Sequence, residues 1–183
     1  FYDYPDEMDA LQSAINHSYD TLYETVCNSP LEIINFGDNI CMEMTPPPVF
    51  EKYVLPVYQQ RTDQLRKAGK FTNAHWDGSV KDLLPYIKDT GLDGIEALTP
   101  LPQGDVSLDE IAEAMEGKVL MDAIPAVYFL DSCDSDLLKE TVLKTAALFR
   151  DRLILGISDE MPGDGNIWRV AEVSRLVEVF NAQ

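Results

Sequence analysis

The sequence predicts an α/β protein built on a parallel sheet. Five short apolar runs recur along the 183 residues, each bounded by turn residues. A stretch of helical length follows each run, and a polar group stands at the carboxyl end of each run. Repeated strand–helix units imply a parallel sheet with helices packed outside it. In such proteins ligands bind at the carboxyl ends of the strands.

The elements follow in order. Residues 6–28 read as one helix, opened by Pro5 and Asp6, with Met8, Leu11, Ile15, Leu22 and Val26 at roughly helical spacing. Asn28-Ser29-Pro30 stops it. Leu31 to Phe36 is the first strand, ended by Gly37-Asp38-Asn39. A shaped loop with three consecutive prolines runs from Cys41 to Pro48. Val49 to Lys67 is the next helix, which Pro56 should kink or split, and Gly69 is its C-cap.

The second strand is Phe71 to His75, followed by a helix from Ser79 to about Thr90, capped by Gly91. The third strand is Asp93 to Leu98. After the loop Thr99 to Asp105, Ser107 and Glu110 form a capping box for a helix from Leu108 to Met115. Lys118 to Asp122 is the fourth strand, and Asp134 or Ser135 caps a helix ending near Arg150. Arg152 to Ile157 is the fifth strand. Its loop, Ser158 to Gly165, leads into a last helix from Ile167 to Asn181. Two closures suit this order, an open doubly wound sheet or a (β/α)8 barrel. No GxGxxG follows the first strand. Five units are too few for a closed barrel, so as a barrel this is its C-terminal part.

Composition narrows the function. The length suits a single domain, residues 1–183, with 45% hydrophobic residues for its core. A net charge of -18 and a pI near 4.2 argue against nucleic acid and against an anionic membrane surface. Cys27, Cys41 and Cys133 lie far apart, which is neither a disulfide framework nor a zinc ribbon. No apolar run approaches membrane-span length and no stretch reads as a secretory leader, so a cytoplasmic protein is expected. The first residues, Phe1-Tyr2-Asp3-Tyr4-Pro5, lack an initiator Met, and a piece of a longer chain is the expectation.

The strand ends carry the candidate chemistry: Asp38 and Asn39, then His75 and Asp77, Glu96, Asp122, and finally Asp159 and Glu160. Asp and Asn also favour such places as turn formers and helix caps. Glu96 and Asp122 sit within apolar runs, where an inward carboxylate needs a partner. One imidazole with several carboxylates suits a divalent metal such as Zn, Mn or Fe(II). Without metal, the same groups make a general acid–base pair. Met42, Met44, Trp76, Tyr128, Phe129 and Met161 lie near these loops and can form an apolar wall, although each alone is ordinary core material.

Several stretches together resemble the uroporphyrinogen decarboxylase superfamily. They are Gly37-Asp38-Asn39 with the Met and Pro loop, the helix containing Leu55-Pro56, and Lys67-Ala-Gly69 ahead of a strand ending in His75. Gly91-Leu-Asp-Gly-Ile-Glu96-Ala-Leu-Thr-Pro, Gly104-Asp105-Val and Ile157-Ser-Asp159-Glu160-Met-Pro162 complete the set. The resemblance runs from about residue 5 to the end. It implies a (β/α)8 TIM-type barrel, of which this chain covers about strands 4–8, with the N-terminal part absent.

The superfamily includes the decarboxylase and the corrinoid-linked methyltransferases. Its coenzyme M methyltransferases bind zinc through a His-x-Cys pair and a later Cys. Here His75 matches the His, Asp77 stands where the first Cys would be, and Asp159 falls near the second, which gives a harder site. The stretches Glu96 to Asp105 and Asp159 to Pro162 look more like members that serve O-demethylation. The resemblance thus implies transfer of a methyl group between a small methylated substrate (a methoxyaromatic, methylamine or thiol) and a corrinoid protein. His75, Asp77, Asp159 and Glu96 would hold zinc or another divalent metal, and Asp122 or Glu160 would manage the proton. Asp38, Asn39, Met44, Trp76 and Tyr128 would line the substrate.

One alternative is a decarboxylase of tetrapyrrole type, but the place of that family's Gly-His-Gly stretch reads Ser158-Asp159-Glu160. Another is a non-catalytic barrel fragment. Half a barrel has two unpaired sheet edges, so self-association or association with the missing N-terminal part is expected.

Overall fold

A computed structural model describes residues 2–182. Five strands form one sheet, β1 (Ile33–Ile40), β2 (Phe71–Trp76), β3 (Gly94–Glu96), β4 (Val119–Met121) and β5 (Leu153–Ile154). They lie in the order β1-β2-β3-β4-β5 and every pair is parallel. A doubly wound sheet reverses its strand order at a switch point. This sheet advances one strand at a time, as an arc of a barrel does, and is compatible with part of a (β/α)8 barrel.

The expected first helix is two, α1 (Pro5–Ser18) and α2 (Asp20–Cys27). The break falls at Tyr19, where the Ser18 hydroxyl turns back to the Ile15 carbonyl at 2.7 Å and competes with the helical ladder. After β1 a helical stretch runs in three pieces: Pro47–Val49, a π-helical Phe50–Val54, and α3 (Leu55–Lys67). Pro56 lacks an N–H, and its ring crowds the carbonyl four residues back, at Lys52. The widened π turn falls where that crowding falls.

The stretch after β2 is a 3-10 helix, Lys81–Asp89, where an α-helix was expected. Pro85 stands inside it and removes one ladder donor. Leu83, Leu84 and Ile87 still reach the core from it. Next come α4 (Leu108–Ala114), with the expected Ser107–Glu110 capping box, and α5 (Ser135–Phe149). Asp134 caps α5, accepting from the Asp136 N–H at 2.9 Å. The last helix is α6 (Ile167–Asn181). Gly69 and Gly91 take φ of 77° and 78° after their helices, a conformation that favours glycine at a C-cap. No helix among the described residues is long and apolar enough to cross a membrane.

Strand periodicity decides which face each residue serves. Phe36, Ala74, Trp76, Ile95 and Leu120 face the helices, and Phe50, Tyr58, Leu65, Leu83 and Ile87 close over them. A second cluster joins Ile124, Tyr128, Phe129, Leu138 and Val142 beside α6. Each fully buried apolar side chain contributes about 1.5–3 kcal/mol. The other face carries Ile33, Phe71 and Ile154, which are 61%, 62% and 50% exposed. That face is concave in a barrel and here is open.

Candidate functional site

Register builds the site on the open face. His75 on β2 pairs with Glu96 on β3, and Glu96 pairs with Met121 at the end of β4. Paired residues share a face, so imidazole and carboxylate are neighbours. His75 Nδ1 lies 3.7 Å from Glu96 Oε1. Asn35 on β1 donates from Nδ2 to Glu96 Oε2 at 2.5 Å. Both His75 and Glu96 remain partly open to solvent.

Asp122 follows β4 with φ of 50°, in the left-handed region. Burial holds its carboxyl above the ordinary aspartate value; Glu96 pushes it further up and His75 pulls it down. It therefore belongs electrostatically with the pair. Gly156 makes this packing possible, because a Cβ there would stand 1.9 Å from Asp122 Oδ1. Ala97 also has φ of 65°, and its carbonyl accepts from the hydroxyls of Thr99 (2.8 Å) and Ser158 (3.3 Å). Thr99 and Ser158 also contact each other, tying the loop after β3 to the loop after β5.

The remaining expected site residues do not join this cluster. Asp77 lies past the end of β2, where its N–H donates to the Ile40 carbonyl at 3.2 Å and Gly78 turns the chain away. Asp159 and Glu160 are exposed in the loop after β5, and Asp159 has φ of 60°. Among the described residues no group of three or more His, Cys, Asp and Glu side chains is placed to hold a metal ion. Of the expected ligands, His75 and Glu96 lie 3.7 Å apart, and neither Asp77 nor Asp159 completes a three-ligand group with them.

The expected substrate wall is also redistributed. Trp76 is fully buried and packs edge-on against Phe50, with ring centroids 5.3 Å apart. It falls one residue after His75 in the strand and so takes the opposite face. Tyr128 is buried in the second apolar cluster, because a 3-10 turn (Ala126–Phe129) folds it back beneath α5. Met44 and Asn39 are exposed. Asp38 accepts from the Tyr58 hydroxyl at 2.6 Å, and burial raises its carboxyl above the ordinary value. Its strand register is irregular between Phe36 and Ile40, which sets it apart from Glu96.

Asp38 lines a groove of about 520 Å³ beside β1, with Tyr23 and Arg61. A second groove, of about 1000 Å³, lies beside β5 between α5 and α6, lined by Leu153, Leu155, Val173 and Phe180. Neither contains His75 or Glu96. They flank the two strands that end the sheet.

Asn35, Asn73 and Gly156 were not anticipated as site residues. The signal for Asn73 was present: period two places it on the His75 face, two residues earlier. Asn35 needed the register between strands, and Gly156 needed the approach of Asp122.

No protein-family model matches this chain, and no curated protein matches it. Among solved structures, a methyltransferase from Methanosarcina mazei superposes with a TM-score of 0.72 at 15% sequence identity. The match covers 98% of this chain and 52% of that one. This chain thus spans about half the length of that structure. At this identity the likeness establishes a shared fold.

Proposed function

We propose that this chain is the C-terminal part of a (β/α)8-type methyltransferase of the uroporphyrinogen decarboxylase superfamily. It moves a methyl group between a small methylated substrate, such as a methoxyaromatic, methylamine or thiol, and a corrinoid protein. The observation that carries the reading is the His75–Glu96 pair on the open face of the sheet, at the carboxyl ends of β2 and β3, with Asp122 within electrostatic reach of both. It lies where a barrel of this kind places its chemistry. The likeness in fold to a methyltransferase about twice as long agrees with it.

The residues have separate roles. Glu96 stands 3.7 Å from His75 Nδ1 as its carboxylate neighbour and is itself held by Asn35. Asp122 keeps its proton to higher pH than an ordinary aspartate. It can give that proton to the heteroatom that loses the methyl group, which leaves with it, and a proton from solvent, passed on by His75, can then restore Asp122. The corrinoid, carried by a partner protein, would supply the methyl-exchanging chemistry. Zinc or another divalent metal would be held by His75 and Glu96, which no third described His, Cys, Asp or Glu side chain joins as a ligand group, so no step is routed through a metal. A metal at this pair would draw further ligands from substrate, water or polypeptide outside the described residues.

A decarboxylase of tetrapyrrole type needs cationic groups for its substrate's carboxylates. The paired open-face positions carry no Lys or Arg: they are Ile33, Asn35, Phe71, Asn73, His75, Gly94, Glu96, Val119, Met121 and Ile154, and the imidazole of His75 faces Glu96. The test is a methyl-transfer assay with the full-length enzyme, a corrinoid protein and a substrate panel. Methylation of the corrinoid protein that His75→Ala abolishes is the expected result. No methylation with any methoxyaromatic, methylamine or thiol overturns the proposal.

A further inference from the structure

One buried group has no role in this scheme. Asn73 is 3% exposed, and neither its amide nitrogen nor its amide oxygen has a hydrogen-bond partner among the protein groups. Asn is a poor strand former, and a buried amide without partners is destabilising. A leucine, which has the same branched skeleton with two methyl groups in place of the amide O and N, would strand no polar atoms there. Packing alone therefore gives no reason for this amide.

Its position supplies one. Asn73 pairs with Asn35 on one side and Gly94 on the other, and it lies on the His75 face. Gly94 contributes no side chain next to it. The Asn35–Glu96 hydrogen bond starts level with Asn73 on β1 and ends level with His75 on β3. It therefore crosses β2 between Asn73 and His75, a span of about 10 Å for strands about 4.8 Å apart. By this register the bridge passes across β2 beside the Asn73 position. It joins two partly open side chains, so opening it disturbs no apolar core.

We infer that Asn73 is a ligand-binding residue and that the Asn35–Glu96 bridge is the latch beside it. The ligand group is neutral and planar, with a donor and an acceptor side by side, as in a carboxamide or lactam. The Asn73 Nδ2 donates to the ligand carbonyl, and its Oδ1 accepts from the ligand N–H. A carboxylate would leave Oδ1 unpaired and would face Glu96 and Asp122. The inference rests on the reading of this face as the substrate site and deepens it. The amide end of the substrate lies at Asn73, and its methyl-bearing end lies toward His75 and Asp122.

The test is a titration of the full-length, isotopically labelled protein with benzamide, followed by NMR at the Asn73 side-chain amide. Acetophenone, which has the carbonyl but no N–H, is the control. Benzamide is expected to shift the Asn73 signals saturably and acetophenone to bind more weakly. Asn73→Leu is expected to weaken benzamide binding at least about tenfold, the loss of two hydrogen bonds. Asn35→Ala, which removes the latch, is expected to tighten it. Should Asn73→Leu not fold, Asn73→Ser replaces it, with folding judged from the same spectra.

Unmoved Asn73 signals, or equal affinity in wild type and the Asn73 variant, overturn the inference. So does a crystal structure in which ordered waters bond both amide atoms and stay there in the presence of benzamide. Binding requires no corrinoid protein and no turnover. A failed methyl-transfer assay and a failed titration therefore refute different statements.

Discussion

Trp76 separates a packing role from a substrate-lining role. It is the largest of the fully buried side chains, and Phe50 meets its ring edge-on at 75°. Replacing a buried Trp with Ala costs about 3–5 kcal/mol, through lost transfer free energy and the cavity left behind. Taking about 4 kcal/mol and a urea slope of about 2 kcal/mol/M, the unfolding midpoint of Trp76→Ala falls by about 2 M. At about 2–4 °C per kcal/mol, the melting temperature falls by about 8–16 °C. Trp76→Phe keeps a ring against Phe50 and loses less than half of this. The assay is urea unfolding followed by far-ultraviolet circular dichroism. A Trp168→Phe background leaves Trp76 as the single fluorescent reporter. Trp168 is 78% exposed, so that change stays within about 0.5 kcal/mol. A loss below about 1 kcal/mol for Trp76→Ala refutes the packing argument and returns Trp76 to the substrate wall.

Three further outcomes follow from the geometry. Asp122 has a raised carboxyl pKa against an ordinary value of 3.8, so the folded protein binds this proton more tightly than the unfolded chain. Its effect on stability is absent below pH 3.8, and stability is lost as pH rises from there through the folded-state value. Asp122→Asn should match wild type at low pH and exceed it above that window in melting experiments; a constant difference at every pH refutes the assignment. Plasma mass spectrometry of protein purified without chelator, beside His75→Ala, tests a divalent metal at the His75–Glu96 pair: a bound metal gives near-stoichiometric zinc that His75→Ala abolishes. No metal in either protein refutes a metal there and leaves the two as acid–base or binding groups. Light scattering should show association, since β1 and β5 each pair on one side only and Ile33, Phe71 and Ile154 are open. A compact, stable monomer contradicts it.

Much of the local structure was legible because its causes are local. Ser107 and Glu110 are one helical turn apart, so their capping box reads directly from spacing. Gly69 and Gly91 stand where helices must end. Alternation of strands and helices implied a parallel sheet, and the sheet is parallel. Local chemistry misled where neighbours competed with it. Ser18 breaks a helix that spacing alone keeps whole, and Pro85 tightens another into a 3-10 turn.

By itself, the sequence determined the order of elements, the strand ends as the place for polar groups, and His75 as the imidazole among them. The tertiary structure decided which of those groups meet. Glu96 reaches His75 because β2 and β3 align those two residues, and Asp122 comes near because Gly156 leaves room. Asp77 and Asp159 form no three-ligand group with His75 and Glu96, Asp38 turns to Tyr58, and Trp76 faces the helices. The physical reason is distance along the chain. A side chain's face follows from its place within one strand, but its partner across the sheet depends on the register between strands. That register is set by packing among residues tens of positions apart.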